Sequence, residues 1–393
     1  PYLASVVGTR EFAMARDGDV TASRFCAGCH DLVPFFSGKF NDPNFDIRND
    51  PTASAGITCT ACHAISAINS PRGNADYTID TPIHYPFTFS DSGLLRWVNE
   101  QLVKAKPEFH KKTFLKPLHR QTEFCGTCHK VHLPEELNGY KWLRAQNHYD
   151  SFLLSGVSGH GVASFYYPEK ADPNCNECHM PLIESEDFSA HVRDESGVRK
   201  AMDHLFPSAN TAVPQIAVQY GHVTREQADA ALEGHIAFNE GVMRLDLFGI
   251  REDGRIDGAL TAPLRPEVPV LVPGRTYLLE VVVRTVKMGH HFTQGTADSN
   301  QVWLDVDATQ GGERIGRSGG ATPGDRRIDP WSHVINAFVL DRDGDRIAER
   351  NGQDIFTTLY NNGIPPGAAD VVHYRFTVPE GTTEPITLDL ALR

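Results

Sequence analysis

All eight cysteines of this 393-residue chain fall into four copies of one five-residue pattern. The copies are Cys26-Ala27-Gly28-Cys29-His30, Cys59-Thr60-Ala61-Cys62-His63, Cys125-Gly126-Thr127-Cys128-His129 and Cys175-Asn176-Glu177-Cys178-His179. Two cysteines three positions apart lie on one side of a single helical turn. Both can form thioethers to the vinyl groups of one haem, and the histidine that follows can turn its imidazole to the iron as the proximal ligand. Zinc sites and redox-active dithiols use a similar Cys-x-x-Cys spacing, and a disulfide framework would also use paired cysteines. None of these needs a histidine after every pair, whereas here the whole pattern repeats four times and leaves no cysteine over. The reading is four covalently bound haems c, held by Cys26, Cys29, Cys59, Cys62, Cys125, Cys128, Cys175 and Cys178, with His30, His63, His129 and His179 on the irons.

This chemistry sets the compartment. Haem is attached covalently on the outer side of an energy-transducing membrane, so the protein is expected to be exported, to a periplasm or to the cell surface. The sequence starts at Pro1 with no basic, apolar leader ahead of it, which reads as a mature or trimmed form. Hydrophobic residues make up 40% of the chain, with no run of about 20 apolar residues, so no transmembrane segment is expected. Against 37 Lys and Arg stand 50 Asp and Glu, a formal net charge of −13 that argues against a nucleic-acid partner.

Residues 1–205 hold every cysteine and most of the 18 histidines. Turn signals such as Asn41-Asp42-Pro43-Asn44 and Asn69-Ser70-Pro71-Arg72-Gly73 crowd this part, and one helix is predicted over Leu94–Lys106 from Leu94, Leu95, Val98 and Leu102. Such a segment cannot build a large side-chain core, so the haems would supply apolar mass to short helices and loops wrapped around them. Residues 206–241 read as a helical connector. There Thr224-Arg225-Glu226-Gln227 fits a capping box ahead of a helix over Glu226–Asn239. From 242 to 393 the apolar period changes to two, as in Val372, Tyr374, Phe376 and Val378 or Ile386, Leu388, Leu390 and Leu392. Further strands are predicted at Tyr277–Val286, Val302–Val306 and Val334–Leu340, separated by turns such as Pro273-Gly274. The expected fold is therefore α+β, a haem-wrapped domain followed by an antiparallel β-sandwich.

Each iron needs a sixth ligand, and histidine is the expected one. The five methionines are few, and Met180 directly follows His179, where it cannot reach the opposite haem face. The leading candidates are His84, in the stiff aromatic stretch Pro82–Phe87; His119, six residues before Cys125; His148 and His160, flanking the small-residue stretch Ser151–Gly159; and His204, at the end of the cysteine-bearing region. His110 and His132 follow; His132 stands too near His129 to serve the same iron but suits a neighbouring one. A surface or core histidine bonded to a propionate or a backbone group is the alternative role for each. Two more histidines sit in Gly289-His290-His291-Phe292-Thr293-Gln294-Gly295, a Gly-bounded turn that reads first as a loop between strands, with haem or metal contact as the alternative. Asp341-Arg342-Asp343-Gly344-Asp345 has the acidic spacing of a calcium loop but lacks its glycine at the sixth position and its later glutamate, so it reads as a hairpin turn. No nucleophile elbow, phosphate loop or dinucleotide fingerprint is present, and no catalytic residue is assigned.

The segment Phe124–His129, with Cys175–Pro181 and its Cys-His-Met-Pro ending and the later Asp203-His204-Leu205-Phe206, resembles tetrahaem cytochromes c of the nitrification type. It is also similar to the broader group of pentahaem nitrite reductases and octahaem hydroxylamine-oxidising enzymes. The resemblance implies distal roles for histidines placed like His148, His160 and His204. The Gly289–Gly295 turn with Asp298 and Trp303 resembles a β-domain appended to some bacterial multihaem cytochromes. A Cys-x-x-Cys-Lys catalytic haem motif is absent, and no tyrosine is identified as a haem cross-link. The expected function is single-electron transfer through four mainly bis-histidine haems, to redox partner proteins or neighbouring cytochrome subunits. Two alternatives stand beside it: an oxidoreductase with one open haem acting on a small nitrogen or sulfur compound, and a subunit of an extracellular filament or other homo-oligomer.

Overall fold

The computed structural model describes residues 6–165, 168–187, 190–295, 297–321, 327–348 and 350–393. Helices and strands are mixed along the chain, the sheets are small, and their pairings are antiparallel, which makes the fold α+β. The chain divides into two compact units: one runs up to Asp150 and takes in Phe338–Leu359, and the other comprises Ser151–Ala337 and Tyr360–Arg393. The boundaries expected at 205 and 241 follow the last cysteine and the change of apolar period. Packing divides the chain elsewhere, because composition and period describe local structure whereas a unit is set by which segments pack together. The fourth cassette and the connector thus belong with the strand-rich unit, and a late segment returns to the first.

In the first unit short helices close around three apolar clusters. Val6, Val7, Val20, Ala27, Phe40, Phe45 and Ile47 form one, centred on the fully buried Phe40. Ala13, Ala22, Leu133 and Leu137 form the second, joined by Ile355 from the returning segment. The third, Leu32, Ala61, Ile65 and Tyr77 with Phe124 beside it, draws on the neighbourhoods of three cassettes. The predicted helix is present as Gly93–Ala105, yet it buries none of its residues; Leu94 and Trp97 are 69% and 57% exposed. Leu95, Val98 and Leu102 are half-buried, so the apolar side of the helix is only partly covered.

In the second unit the helix Arg225–Asn239 starts with a complete capping box, in which the Thr224 hydroxyl accepts the Gln227 N–H and the Gln227 side chain accepts the Thr224 N–H. The strands then build two antiparallel sheets. Thr276–Thr285 lies between Ala369–Thr377 and Met243–Glu252, with the short Leu260–Thr261 at the edge. Leu304–Gln310 lies between Glu313–Ser318 and Ile386–Leu392. Val281 and Val283 of the first sheet and Leu304 of the second are fully buried in one cluster, with Leu390 and Leu392 packed against it. Tyr277 through Val281 are buried without interruption, as a strand covered on both faces requires, and beyond them the buried Val283 and Thr285 alternate with the half-buried Val282 and the exposed Arg284. The centre of the larger sheet also holds a charge: Glu280, 6% exposed, accepts from Arg251 Nε at 2.5 Å and has His373 Nε2 at 3.5 Å. The Asp341–Asp345 stretch, in the late segment that belongs to the first unit, is a turn in which the Asp341 carboxylate accepts the N–H groups of Asp343 and Asp345.

Candidate haem-binding sites

Each cassette is folded as a helical turn that ends at its histidine: Arg24–His30, Cys59–His63, Thr122–His129 and Asn176–His179. Local side chains start two of these turns. The Thr58 hydroxyl accepts the Ala61 N–H at 3.1 Å, and the Asn174 amide oxygen accepts the Asn176 N–H at 3.0 Å. None of the eight cysteines is in a disulfide. Among the described residues, no group of three or more His, Cys, Asp or Glu side chains converges as it would around a bare metal ion.

The first three cassettes, all in the first unit, meet one another. Cys29 is buried beside Cys128, and the hydrogen bond between the two thiols together with burial pushes Cys29 well above its ordinary value. Cys62 lies near enough to feel Cys128, and burial is the main cause that pushes it up to about 11. Burial also lifts Cys26 to about 12. These thiols are neutral near pH 7, as their apolar surroundings require. Glycines permit the close approach. A Cβ on Gly28 would stand 2.5 Å from Ala75 Cβ, and one on Gly126 would stand 2.7 Å from the Tyr149 ring. The Gly28 carbonyl accepts the Tyr77 hydroxyl at 2.6 Å, and the Thr127 carbonyl accepts the Ala75 N–H at 2.8 Å. The 73–77 turn thus ties the first cassette to the third.

Two of the four cassette histidines are set by backbone groups. His63 Nδ1 donates to the Phe114 carbonyl at 2.6 Å, and His179 Nδ1 donates to the Pro207 carbonyl at 2.9 Å, in the tautomer the geometry selects. A proton held on Nδ1 makes Nε2 the lone-pair nitrogen, the one that coordinates iron. His30 is reached by solvent, yet burial among neighbouring protein atoms is the main cause that lowers its pKa, with the Arg350 charge adding to it. A side chain both accessible and deeply surrounded lines a cleft. Burial likewise lowers His179, against the effect of its bond to Pro207. Neutral imidazole is the ligating form.

Two of the seven distal candidates stand beside a proximal histidine. The His119 and His63 ring centres are 4.6 Å apart, and those of His148 and His129 are 5.3 Å apart. Burial, with His63 second, brings His119 down to about 4. The other candidates are placed as follows. His84 is exposed against Phe89, and His110 packs on Phe114. His132 stacks on Trp142 at 5.4 Å. His160 is exposed, its N–H given to the Ser158 hydroxyl, and His204 is exposed with Nδ1 on the Met202 carbonyl and its ring on Phe206. A histidine that the sequence presents first as part of a loop stands beside a third cassette histidine: His290 lies parallel to His179, with ring centres 6.1 Å apart and planes 8° apart. Its signal in the sequence was the paired histidine inside a glycine-bounded turn. Spacing along the chain could not connect it to a cassette more than 100 residues earlier.

No family model and no curated protein matches this chain. Among solved structures it is similar to a penta-heme cytochrome c552 from Thermochromatium tepidum, at 15% sequence identity and a TM-score of 0.48, over 93% of this chain and 75% of that one. Among the described residues, no helix is long and apolar enough to cross a membrane.

Proposed function

We propose that this protein is a multihaem cytochrome c that carries four covalent haems and transfers single electrons. The observation that carries this reading is that seven of the eight cysteines lie in four helical turns, each ending in a histidine, and the eighth, Cys175, directly precedes its turn, with no cysteine left for another purpose. The backbone tethers on His63 and His179 support it, because they present the ligating nitrogen. Bound haem supplies an iron that gains and loses one electron. The polypeptide does the rest. Cys26 and Cys29, Cys59 and Cys62, Cys125 and Cys128, and Cys175 and Cys178 anchor the groups; His30, His63, His129 and His179 are the proximal ligands. His119 and His148, the imidazoles that stand beside His63 and His129, would supply the second imidazole of those two haems.

The Cys29–Cys128 contact and the nearness of Cys62 support a closely packed trio of haems, which favours passing electrons from one to the next. Two imidazoles per iron give a low potential relative to a His/Met pair. Because the thioethers are made on the outer side of the membrane, the working place is a periplasm or the cell surface, and the partners are other redox proteins. The test is a pyridine haemochrome assay together with the intact mass of the purified protein. Four haems c per chain are expected. A mass equal to that of the bare polypeptide refutes the reading.

A further inference from the structure

The fourth cassette has its proximal histidine fixed on three sides. His179 Nδ1 is held by the Pro207 carbonyl, its ring packs on Phe238 of the helix Arg225–Asn239 with centres 5.3 Å apart, and His290 lies parallel to it. We propose that His290, from the turn Gly289–Gly295 of the strand-rich part, is the sixth ligand of the fourth haem; this rests on the reading that Cys175 and Cys178 carry a haem. The class of site is a bis-imidazole iron whose two ligands stand more than 100 residues apart in the chain, both within the second unit.

Distance supports the assignment. An imidazole nitrogen sits about 2.0–2.1 Å from a first-row metal ion and its ring centre about 1.1 Å beyond, so two imidazoles across one ion have centres about 6.3 Å apart. The His179 and His290 ring centres are 6.1 Å apart, so this pair already has the required separation. The His63–His119 and His129–His148 pairs, at 4.6 and 5.3 Å, would have to part by about 1.7 and about 1.0 Å to reach that separation.

The tautomer also fits. His290 Nδ1 faces the His291 carbonyl at 3.2 Å, so His290, like His179, is presented for coordination through Nε2. The two adjacent histidines of the turn have separate tasks. The His291 backbone N–H donates to the Ser151 hydroxyl at 2.9 Å, and its ring Nδ1 bonds the same hydroxyl. This pins the turn to the segment that follows Ser151. A Cβ on Gly289 would stand 3.0 Å from the Phe152 ring, so a side chain there would push the turn away. On the far side, Phe292 N–H donates to the Ile364 carbonyl at 2.9 Å, and the Thr293 hydroxyl donates to the Ile335 carbonyl at 3.2 Å. The turn is anchored at both ends, and His290 is the imidazole it holds towards His179. By contrast His204, the candidate nearest the fourth cassette in sequence, is exposed and bonded to its own neighbour Met202.

The test uses the purified holoprotein, with attached haem counted by mass in every variant. His290→Ala is expected to retain four haems, to show one newly high-spin ferric haem by electron paramagnetic resonance, and to bind one more carbon monoxide per reduced chain than the parent. Added imidazole should restore the low-spin spectrum. His204→Ala should change none of these readouts. His290→Met keeps a ligand at the position and guards against failure of the alanine variant to fold; it should raise the potential of one haem in a redox titration. His290→Ala or His290→Met with four haems and the parental spectrum and potentials would overturn the assignment, as would the high-spin change appearing in His204→Ala instead. A parent protein with no haem on Cys175 and Cys178 would refute the underlying reading, a result the mass separates from the others.

Discussion

Replacing Gly28 by alanine tests whether the first and third cassettes depend on a glycine contact. The new methyl would lie 2.5 Å from Ala75 Cβ. Two carbons pack at about 3.5–4.0 Å, so the backbones must part by about 1.0–1.5 Å. Ala75 cannot swing aside. The clash is with a Cβ rather than the end of a flexible chain, and the residue is held by its N–H bond to the Thr127 carbonyl and at φ 58°. On the other side the Gly28 carbonyl is bonded to the buried Tyr77 hydroxyl. Overpacking of a tight contact costs about 1–3 kcal/mol, and this rigid site belongs at the upper end. In a unit of this size each kcal/mol moves Tm by about 2–4 °C, so a drop of about 6–12 °C is expected. The assay is thermal unfolding of the holoprotein by circular dichroism, with haem count checked. Ala75→Gly removes the opposing methyl at a left-handed position that suits glycine, so adding it to Gly28→Ala should restore most of the loss. A Gly28→Ala protein as stable as the parent, or no rescue by Ala75→Gly, would show that the contact does not hold the cassettes together.

Other expectations follow from the same structure. His119→Ala and His148→Ala should each open one haem, read as one additional carbon monoxide bound per reduced chain; an unchanged stoichiometry removes that histidine as a ligand. Arg251→Met leaves Glu280 as a buried carboxylate without its guanidinium partner, and unfolding titrations should show a loss of about 3 kcal/mol; a loss within error would mean that His373 or solvent compensates. The Thr52 hydroxyl first, then Lys39, hold the Asp50 carboxyl down to about 2. Its folded value lies below the unfolded value of about 3.9, so its contribution is complete above pH about 4 and is lost as pH falls through about 2. Asp50→Asn should flatten the acid limb of the stability curve over that window, and an identical limb in both proteins would contradict the hydrogen-bond assignment.

The helices that the sequence allows one to draw, Leu94–Lys106 and Glu226–Asn239, are found within one residue at their starts and ends, at Gly93–Ala105 and Arg225–Asn239. Their periodicity and capping are local, and local signals are read directly. The strands at 276–285, 369–377 and 386–392 were legible for the same reason. The small hairpin Ile65–Ile68 with Tyr77–Ile79 was not, because four or fewer residues carry too little alternation to separate a strand from a loop. The joining of Phe338–Leu359 to the first unit was also invisible, since nothing in that stretch records the distant segments it packs on.

The chain by itself places the four cassettes proposed to carry haem. Thioether anchoring needs two thiols on one helical turn followed by an imidazole, a requirement met wholly within five residues, and so the four cassettes are written in the order of the amino acids. What lies opposite each proximal imidazole obeys no such spacing. His119 and His148 reach His63 and His129, and His290 reaches His179, because the chain doubles back and packing brings distant backbones together. A coordination partner can come from any segment that folding delivers to within a few ångströms, and only the tertiary structure decides which histidine is delivered.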